Sequence, residues 1–218
     1  MNKKYKLLEN DTINHFGRTL YRIQALIDFA DVKAGDLGGY IECEDNLAHK
    51  GNCWVYNEAR VSGEARVFGS ARVYGSARVY GSAWVSGEAR VFGSARIKYG
   101  KLQSDILKNI VEYISCSLNV KPIKDYYVLY KRVNKISKGK YVSCYDKKFI
   151  YEDNKIIKCK NFCDNKLKSC TTGLHFSTAN YWNEGDTLIG CFVHKDDIIT
   201  CMDGKIRAKR CKVIGECN

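Results

Sequence analysis

A six-residue repeat occupies residues 41–98 and constrains the fold more than any other feature of the sequence. From Ala59 onward the chain reads ARVSGE, ARVFGS, ARVYGS, ARVYGS, AWVSGE, ARVFGS and ARIKYG, with a degenerate copy at 53–58 and two weaker copies upstream. Ala and Val stand two residues apart, so on a short strand both point to one side and the Arg between them points away. The Gly that follows suits a turn with an unusual φ. This strict period, with a β-branched residue and a Gly in each unit, argues against an α-helix.

These hexads resemble those of the hexapeptide-repeat left-handed parallel β-helix, in which about 18 residues form a triangular coil of three short strands. The repeat would then give a little over three coils, stacked about 4.8 Å apart. Because an open coil end exposes unpaired strand edges, both ends need caps. We predict a mainly β fold with an N-terminal cap (1–40), a short left-handed β-helix (41–100), a helical linker or plug (101–123) and a small basic α+β domain (124–218).

Outward side chains that stand one coil apart should stack in rows on the faces of the β-helix. The expected rows are Glu42-Arg60-Arg78-Arg96, Trp54-Arg72-Arg90, Arg66-Trp84 and, after each Val, Tyr56-Tyr74-Phe92 and Ser62-Tyr80. Stacked arginines repel unless an anion lies between or over them, and Arg beside an aromatic ring is typical of surfaces that bind phosphates and bases. The predicted binding residues are Trp54, Arg60, Arg66, Arg72, Tyr74, Arg78, Tyr80, Trp84 and Arg90. The alternative is that these rows only rigidify the solenoid.

Positive charge is distributed unevenly along the chain. The formal net charge is +12, and residues 125–218, with 18 basic and 11 acidic side chains, carry +7 of it. A basic surface attracts phosphate-bearing partners through a salt-dependent interaction. Alternation along a strand expected over 206–214 would place Lys205, Arg207 and Lys209 on one face. We predict that a phosphate backbone contacts Lys205, Arg207, Lys209 and Arg210. A lysine-rich solvated surface is the alternative.

The segments on either side of the repeat have separate expected roles. Residues 1–40 read as short strands and turns that would close the first coil. Beyond Lys101 the apolar residues follow helical spacing, which predicts an amphipathic helix over 102–114 with Ser104 as N-cap. This helix would either plug the last coil or mediate dimerisation, and the need to cover the coil end favours the plug. Pro122 then marks a boundary.

Composition is that of a globular protein, with 45% hydrophobic and 28% charged residues. No apolar run approaches the length of a membrane span, and the first residues lack the apolar segment of a signal peptide. We therefore expect a cytoplasmic protein that does not contact membranes. The eleven cysteines are an odd number, and in a cytoplasmic chain they are expected to be reduced and mostly buried.

Signals for catalysis are weak. Hexapeptide-repeat proteins are mostly acyltransferases, and the resemblance implies a catalytic His on a projecting loop or a metal site made of histidines, but the hexads from 53 to 98 contain no inserted loop. His49 occupies an inward position, where we expect a buried or capping residue. The spacing of Cys159, Cys163, Cys170 and His175 is not that of a usual zinc site, and His175 is expected to be structural. We predict a non-enzymatic protein with no catalytic residue, cofactor or metal.

Two stretches resemble a family of bacteriophage and prophage accessory proteins with hexapeptide repeats. The first runs from Thr19 through the motif DVKAGDLGGYIE into the hexads, and the second comprises Gly173-Leu-His-Phe-Ser177 with the segments 196–199 and 205–210. The resemblance implies a viral accessory role in the cytoplasm of a bacterial host. The predicted function is therefore to block or sequester a host protein or ribonucleoprotein, such as a CRISPR effector. An acyltransferase, a sponge for a signalling nucleotide and assembly as a homo-oligomer remain alternatives.

Overall fold

The computed structural model describes residues 3–217, and the chain divides into two compact units, Met1–Asn119 and Val120–Asn218. Strands predominate in both units. The predicted mainly β fold, with a solenoid, a following helix and a small C-terminal domain, is confirmed. Within the described part of the chain, no helix is long and apolar enough to cross a membrane.

An antiparallel hairpin begins the first unit. Strand β1 (Tyr5–His15) pairs with β2 (Arg18–Ala25), and β2 pairs in turn with β3 (Leu37–Ile41). The other edge of β3 pairs in parallel with the solenoid strand at Arg60–Val61. The hairpin and β3 therefore extend one face of the solenoid with antiparallel strands, and a short 3-10 helix follows at Glu44–Asn46.

Two-residue strands form the solenoid. They are β4 (Trp54–Val55), β5 (Arg60–Val61), β6 (Arg66–Val67), β7 (Arg72–Val73), β8 (Arg78–Val79), β9 (Trp84–Val85), β10 (Arg90–Val91), β11 (Arg96–Ile97) and β12 (Lys101–Leu102). These strands stack in parallel on three faces, ordered β3-β5-β8-β11, β4-β7-β10 and β6-β9-β12. The hexad pattern explains the arrangement, because its Ala and Val side chains are completely buried inside the coils.

Backbone contacts between successive coils are close. The Arg60 amide donates to the carbonyl oxygen of Ala77 at 2.9 Å, and the Arg78 amide donates to that of Ala95 at 2.9 Å. At the corners, Gly69 has φ +72°, and a Cβ atom there would lie 3.1 Å from the amide nitrogen of Gly87 in the next coil. The recurring Gly therefore serves both the turn and the close stacking of corners.

The expected row of residues on the β3-β5-β8-β11 face is wrong at its first position. Tyr40 pairs with Arg60, where Glu42 was predicted. The 3-10 helix interrupts the weak upstream hexads, so Tyr40 and Arg60 are separated by 20 residues instead of the regular 18. Glu42 instead accepts a hydrogen bond from the amide of Gly63 at 2.7 Å.

The helix after the solenoid also begins later than predicted. Helix α1 spans Ile110–Leu118, and its N-cap is Asn109, whose side chain accepts from the amide of Glu112. It cannot begin near residue 102 because Lys101 and Leu102 still form the last solenoid strand. The amides of Lys98 and Tyr99 donate to the carbonyl oxygen of Cys116 at 2.9 and 2.8 Å. The helix thus packs against the last coil.

The second unit contains two antiparallel sheets. Its strands are β13 (Tyr126–Ser137), β14 (Lys140–Ser143), β15 (Ile150–Glu152), β16 (Ile156–Lys158), β17 (Leu174–Phe176), β18 (Thr187–His194), β19 (Ile198–Met202), β20 (Lys205–Ala208) and β21 (Arg210–Glu216). One sheet has the order β15-β14-β13-β18-β21-β16, and the other has the order β17-β20-β19. Short 3-10 helices lie at Ala179–Tyr181 and Lys195–Asp197.

Candidate functional site

A row of three arginines lies on one face of the solenoid. Arg60, Arg78 and Arg96 occupy equivalent positions on β5, β8 and β11 and pair in register. Neighbouring strands in such a stack are about 4.8 Å apart, so like charges stand one step from one another. We call these three residues the arginine ladder. It is the predicted row without Glu42.

A groove of about 1010 Å³ lies beside the arginine ladder. The N-terminal hairpin contributes His15, Phe16 and Arg18 to its lining, and the solenoid contributes Tyr80 together with Arg78 and Arg96 of the ladder. The Phe16 side chain, at the turn of the hairpin, is 84% exposed. The groove therefore combines positive charge with aromatic rings.

The arginine ladder affects the pKa of His15, which lines the same groove. Its Nδ1 atom lies 3.0 Å from Nη1 of Arg60. Burial, followed by the charges of Arg60, Arg78 and Arg96, lowers the pKa of His15. A neutral imidazole can accept the hydrogen bond from the guanidinium, whereas a protonated one would add a further positive charge. Burial and the charges of the arginine ladder therefore both favour the uncharged form of His15.

One acidic residue in the groove is already paired. Both carboxylate oxygens of Glu42 accept from Nη1 of Arg18, at 2.7 and 2.9 Å. This ion pair leaves Glu64 as the other acidic residue among the described residues that line the groove. The lining thus holds three arginines against two glutamates, and its charge balance is positive.

The second predicted row has the expected register but not the expected exposure. Trp54 pairs with Arg72, and Arg72 pairs with Arg90. Trp54 is wrong as a binding residue, because it is 1% exposed and its ring packs edge-on against Tyr5 and Phe29. The N-terminal segment covers this end of the row.

The middle of the second row is held by structural contacts. Arg72 forms an ion pair with Asp31 at 3.3 Å, and the Tyr56 hydroxyl donates to the same carboxylate at 3.0 Å. Tyr74 stacks on Tyr56 with ring centroids 4.6 Å apart. These contacts tie the predicted binding residues Arg72 and Tyr74 to the loop at Asp31, and only Arg90 of this row is exposed.

The third row is a cation–π stack. Arg66 pairs with Trp84, and Trp84 pairs with Lys101 of the last coil. The Arg66 guanidinium lies 6.0 Å and the Lys101 ammonium 4.9 Å from the centre of the Trp84 ring. Trp84 is 37% exposed, as a ring that stacks on a base would be. Its ring is, however, already in contact with two cations of the protein itself.

The predicted basic strand is not a common phosphate-binding face. Arg207 is completely buried, and its guanidinium donates to the carbonyl oxygens of Cys163, Asn165 and Thr172. The cause is that the loop over 159–173, whose carbonyl oxygens accept these hydrogen bonds, covers the face of β20 on which Arg207 lies.

The other members of the basic strand are separated by the end of β20 at Ala208. Lys209 is exposed between two strands, and Arg210 begins β21, where its Nε donates to Asp197. Lys205 is half-buried and faces a cavity in the second unit. The single strand expected over 206–214 is thus two strands.

That cavity measures about 860 Å³, and two of its lining residues are Lys131 and His175. Sequence reasoning missed Lys131, although a signal was present. On β13 the buried residues Tyr127, Leu129 and Val133 alternate, and Lys131 has the same parity. Alternation therefore predicts an inward-facing ammonium.

His175 lies in an environment that disfavours its charged form. Burial, followed by the charges of Lys131, Lys205 and Arg207, lowers the pKa of His175 to about 4. Its buried Nε2 atom has no hydrogen-bond partner among the described residues.

His49, by contrast, stacks on Tyr5 and accepts from the Lys4 amide through Nδ1, as a capping residue would.

The cysteines near His175 do not converge. Within residues 3–217, no group of three His, Cys, Asp or Glu side chains is placed to hold a metal ion. The Cys170 sulfur lies 2.6 Å from the Lys205 ammonium. The carbonyl of Cys163 instead accepts from buried Arg207.

The fold and the stacked rows define a β-solenoid repeat protein. The repeat profile described as the YdcK beta solenoid repeat matches residues 59–75 and 71–87. The profile of a family of unknown function (DUF5758) matches residues 120–181, in the second unit. The "Uncharacterized acetyltransferase YdcK" of Escherichia coli (strain K12) is 46% identical over 43 residues. That match spans 20% of this chain and 13% of the relative.

Proposed function

We propose that this protein is a non-enzymatic binding protein whose arginine ladder holds a polyanion, specifically the backbone of a single-stranded nucleic acid. The observation that carries the proposal is the in-register stack of Arg60, Arg78 and Arg96 beside an open groove. Three guanidinium groups on one rigid face repel one another, and an anion that bridges them relieves this repulsion.

The aromatic residues of the groove favour a single strand over a duplex. Phe16 is exposed at the hairpin turn, and Tyr80 lines the same groove. Unpaired bases stack on such rings, while the backbone follows the positive charges. A duplex keeps its bases stacked inside, so it would use only the charges.

We further propose that the protein blocks or sequesters a host factor by binding the nucleic acid of that factor. The support for this role is the resemblance of the N-terminal and repeat sequences to phage accessory proteins, together with a rigid face that loses little entropy on binding. The partner would be a host ribonucleoprotein, such as a CRISPR effector, whose nucleic acid contacts the ladder. Affinity purification from a bacterial lysate, with sequencing of the bound RNA, tests this role. Recovery of neither RNA nor protein would contradict it.

Fluorescence anisotropy with a labelled single-stranded RNA tests the ladder directly. The triple substitution of Arg60, Arg78 and Arg96 by Ala should weaken binding by about 100-fold or more, as expected for three lost charge-assisted contacts. The control replaces three exposed cations outside the groove, Arg66, Arg90 and Lys101, and removes the same charge. It should weaken binding far less. Equal losses in both variants, or no binding by the wild type at low salt, would contradict the proposal.

Acetyltransferase activity is the second candidate, and its support is the printed name of the E. coli relative. The matched stretch has 43 residues and covers 13% of that relative. Turnover of acetyl-CoA, lost on His49→Ala or His175→Ala, would favour this candidate. Our proposal predicts no turnover above background.

A further inference from the structure

The second unit buries a positively charged side chain without a matching negative charge. Lys131 lies in the middle of β13, which is flanked by β14 and β18 in the larger sheet. Lys131 is only 5% exposed. Burial lowers the pKa of its ammonium. An ionised Lys in such a place is expected to have a partner.

The contacts of Lys131 do not satisfy its hydrogen-bonding capacity. Its ammonium has three donors, and the acceptor available among the described residues is the carbonyl oxygen of His175, at 3.5 Å. The rings of Tyr151 and Trp182 lie 5.7 and 5.4 Å from the nitrogen. These rings stabilise a cation through their faces but accept no conventional hydrogen bond. At least two donors therefore remain for a ligand.

The space in front of Lys131 is large enough for such a ligand. Lys131 lines the cavity of about 860 Å³ in the second unit, a volume within the usual range for small-molecule sites. Tyr151 and Trp182 form aromatic walls, and Tyr145 and Phe149 extend them. The unpartnered Nε2 of His175 lies in the same lining.

The charge of the lining favours an anion. Lys158, Lys160 and Lys205 surround the cavity in addition to Lys131, and Asp146 is the one carboxylate among the described lining residues. A cation would repel the Lys131 ammonium, and the hydroxyl groups of a neutral sugar could accept its hydrogen bonds but would leave its charge unpaired. A carboxylate or phosphate oxygen accepts from them and restores the charge balance.

We propose that this cavity binds a small organic anion, whose carboxylate or phosphate pairs with the Lys131 ammonium while a flat ring lies against Trp182 and Tyr151. His175 supplies a second polar contact through Nε2, and Lys205, whose ammonium also lies 2.6 Å from the Cys170 sulfur, supplies a second positive charge. The site lies within the second unit and does not depend on the arginine ladder.

Calorimetry on the full chain tests the ligand class with paired probes. Adenosine monophosphate is compared with adenosine, and indole-3-acetate with indole, so that each pair differs in its anionic group. We expect at least one anion to bind and its neutral partner to bind about tenfold more weakly or worse. Binding of the phosphate probe assigns a phosphate ligand, and binding of the carboxylate probe assigns a carboxylate. Failure of both anions at millimolar concentration, or equal binding of charged and neutral probes, would overturn the proposal.

Lys131→Met separates a binding role from a structural one. Met fills a similar volume without charge, so the ligand-free variant should melt at a higher temperature than the wild type, since an unpaired buried charge is removed. The same variant should lose the binding of the anion by at least about tenfold. Lys138→Met, in the exposed β13–β14 turn, should change neither property. A lower melting temperature with unchanged anion affinity would show that Lys131 is structural and overturn the proposal.

Discussion

The solenoid and the second unit use positive charge in opposite ways. The solenoid places its arginines on the outer side of two-residue strands and repeats the same position from coil to coil. The second unit buries individual cations, Lys131 in front of a cavity and Arg207 under a loop. In the solenoid a residue's role therefore follows from its place in the period, whereas in the second unit it follows from partners far away in the chain.

The largest effect is expected from deletions that keep or break the period. Removal of residues 59–76 joins Glu58 to Ala77 and takes out one whole coil in phase, so the first unit should stay folded with a lower melting temperature. Removal of residues 59–73 joins Glu58 to Tyr74 and breaks the phase, which should unfold the first unit. Circular dichroism melts distinguish the two. Equal tolerance of both deletions would contradict an interchangeable 18-residue coil.

A smaller effect is expected from one buried arginine in the second unit. Arg207→Met leaves the carbonyls of Cys163 and Asn165 without their donors, which should cost about 3 kcal/mol of unfolding free energy. The comparison is Arg72→Met in the solenoid, whose ion pair with Asp31 is partly exposed and should cost less than about 1 kcal/mol. Urea denaturation measures both. Similar losses at the two sites would remove the distinction between the units.

Acidification should destabilise the second unit through His175. The pKa of His175 is lowered to about 4, whereas an unfolded chain has a His pKa near 6.5. The unfolded state therefore binds more protons between these values, so the second unit loses stability as the pH falls from about 6.5 to 4. The loss should be about 2 kcal/mol after allowance for partial solvent exposure.

His175→Asn serves as the control for this pH effect. Because the variant cannot titrate in this range, the second unit should show a flatter stability profile between pH 7 and pH 4 in urea denaturation. An unchanged profile in the variant would show that another group causes the loss.

The smallest effect is expected at the edge of the second row. Asp31→Asn removes the charge that pairs with Arg72 and accepts from the Tyr56 hydroxyl. Because this ion pair is partly exposed, the unfolding free energy should fall by about 0.5 kcal/mol. A loss above about 2 kcal/mol would mean that this loop contact, and not the repeat, holds the first unit together.

Sequence reasoning succeeded where the period governs position. The register of Arg60, Arg78 and Arg96 and the pairing of Trp54 with Arg72 follow from 18-residue spacing. It failed where other segments intervene. The burial of Trp54 depends on rings of the N-terminal segment, whose docking no local pattern encodes.

The site in the second unit was only partly readable from the sequence. The parity of Lys131 on β13 places its side chain inward, but the cavity in front of it is formed by residues such as Tyr151 and Trp182. Arg207 lies on a strand, as predicted, but the loop over 159–173 covers the strand face on which its side chain lies. Long-range packing of irregular loops therefore decided both outcomes.

The salt dependence of RNA binding tests the role of the arginine ladder most directly. For a single strand, log affinity falls as log salt rises, and each lost phosphate contact lowers the magnitude of this slope by about 0.7. Replacing Arg60, Arg78 and Arg96 by Ala should lower it by about 2, whereas replacing the exposed Lys147, Lys148 and Lys155 of the second unit should leave it unchanged. A reduced slope in the lysine variant with an unchanged slope in the ladder variant would contradict binding at the ladder.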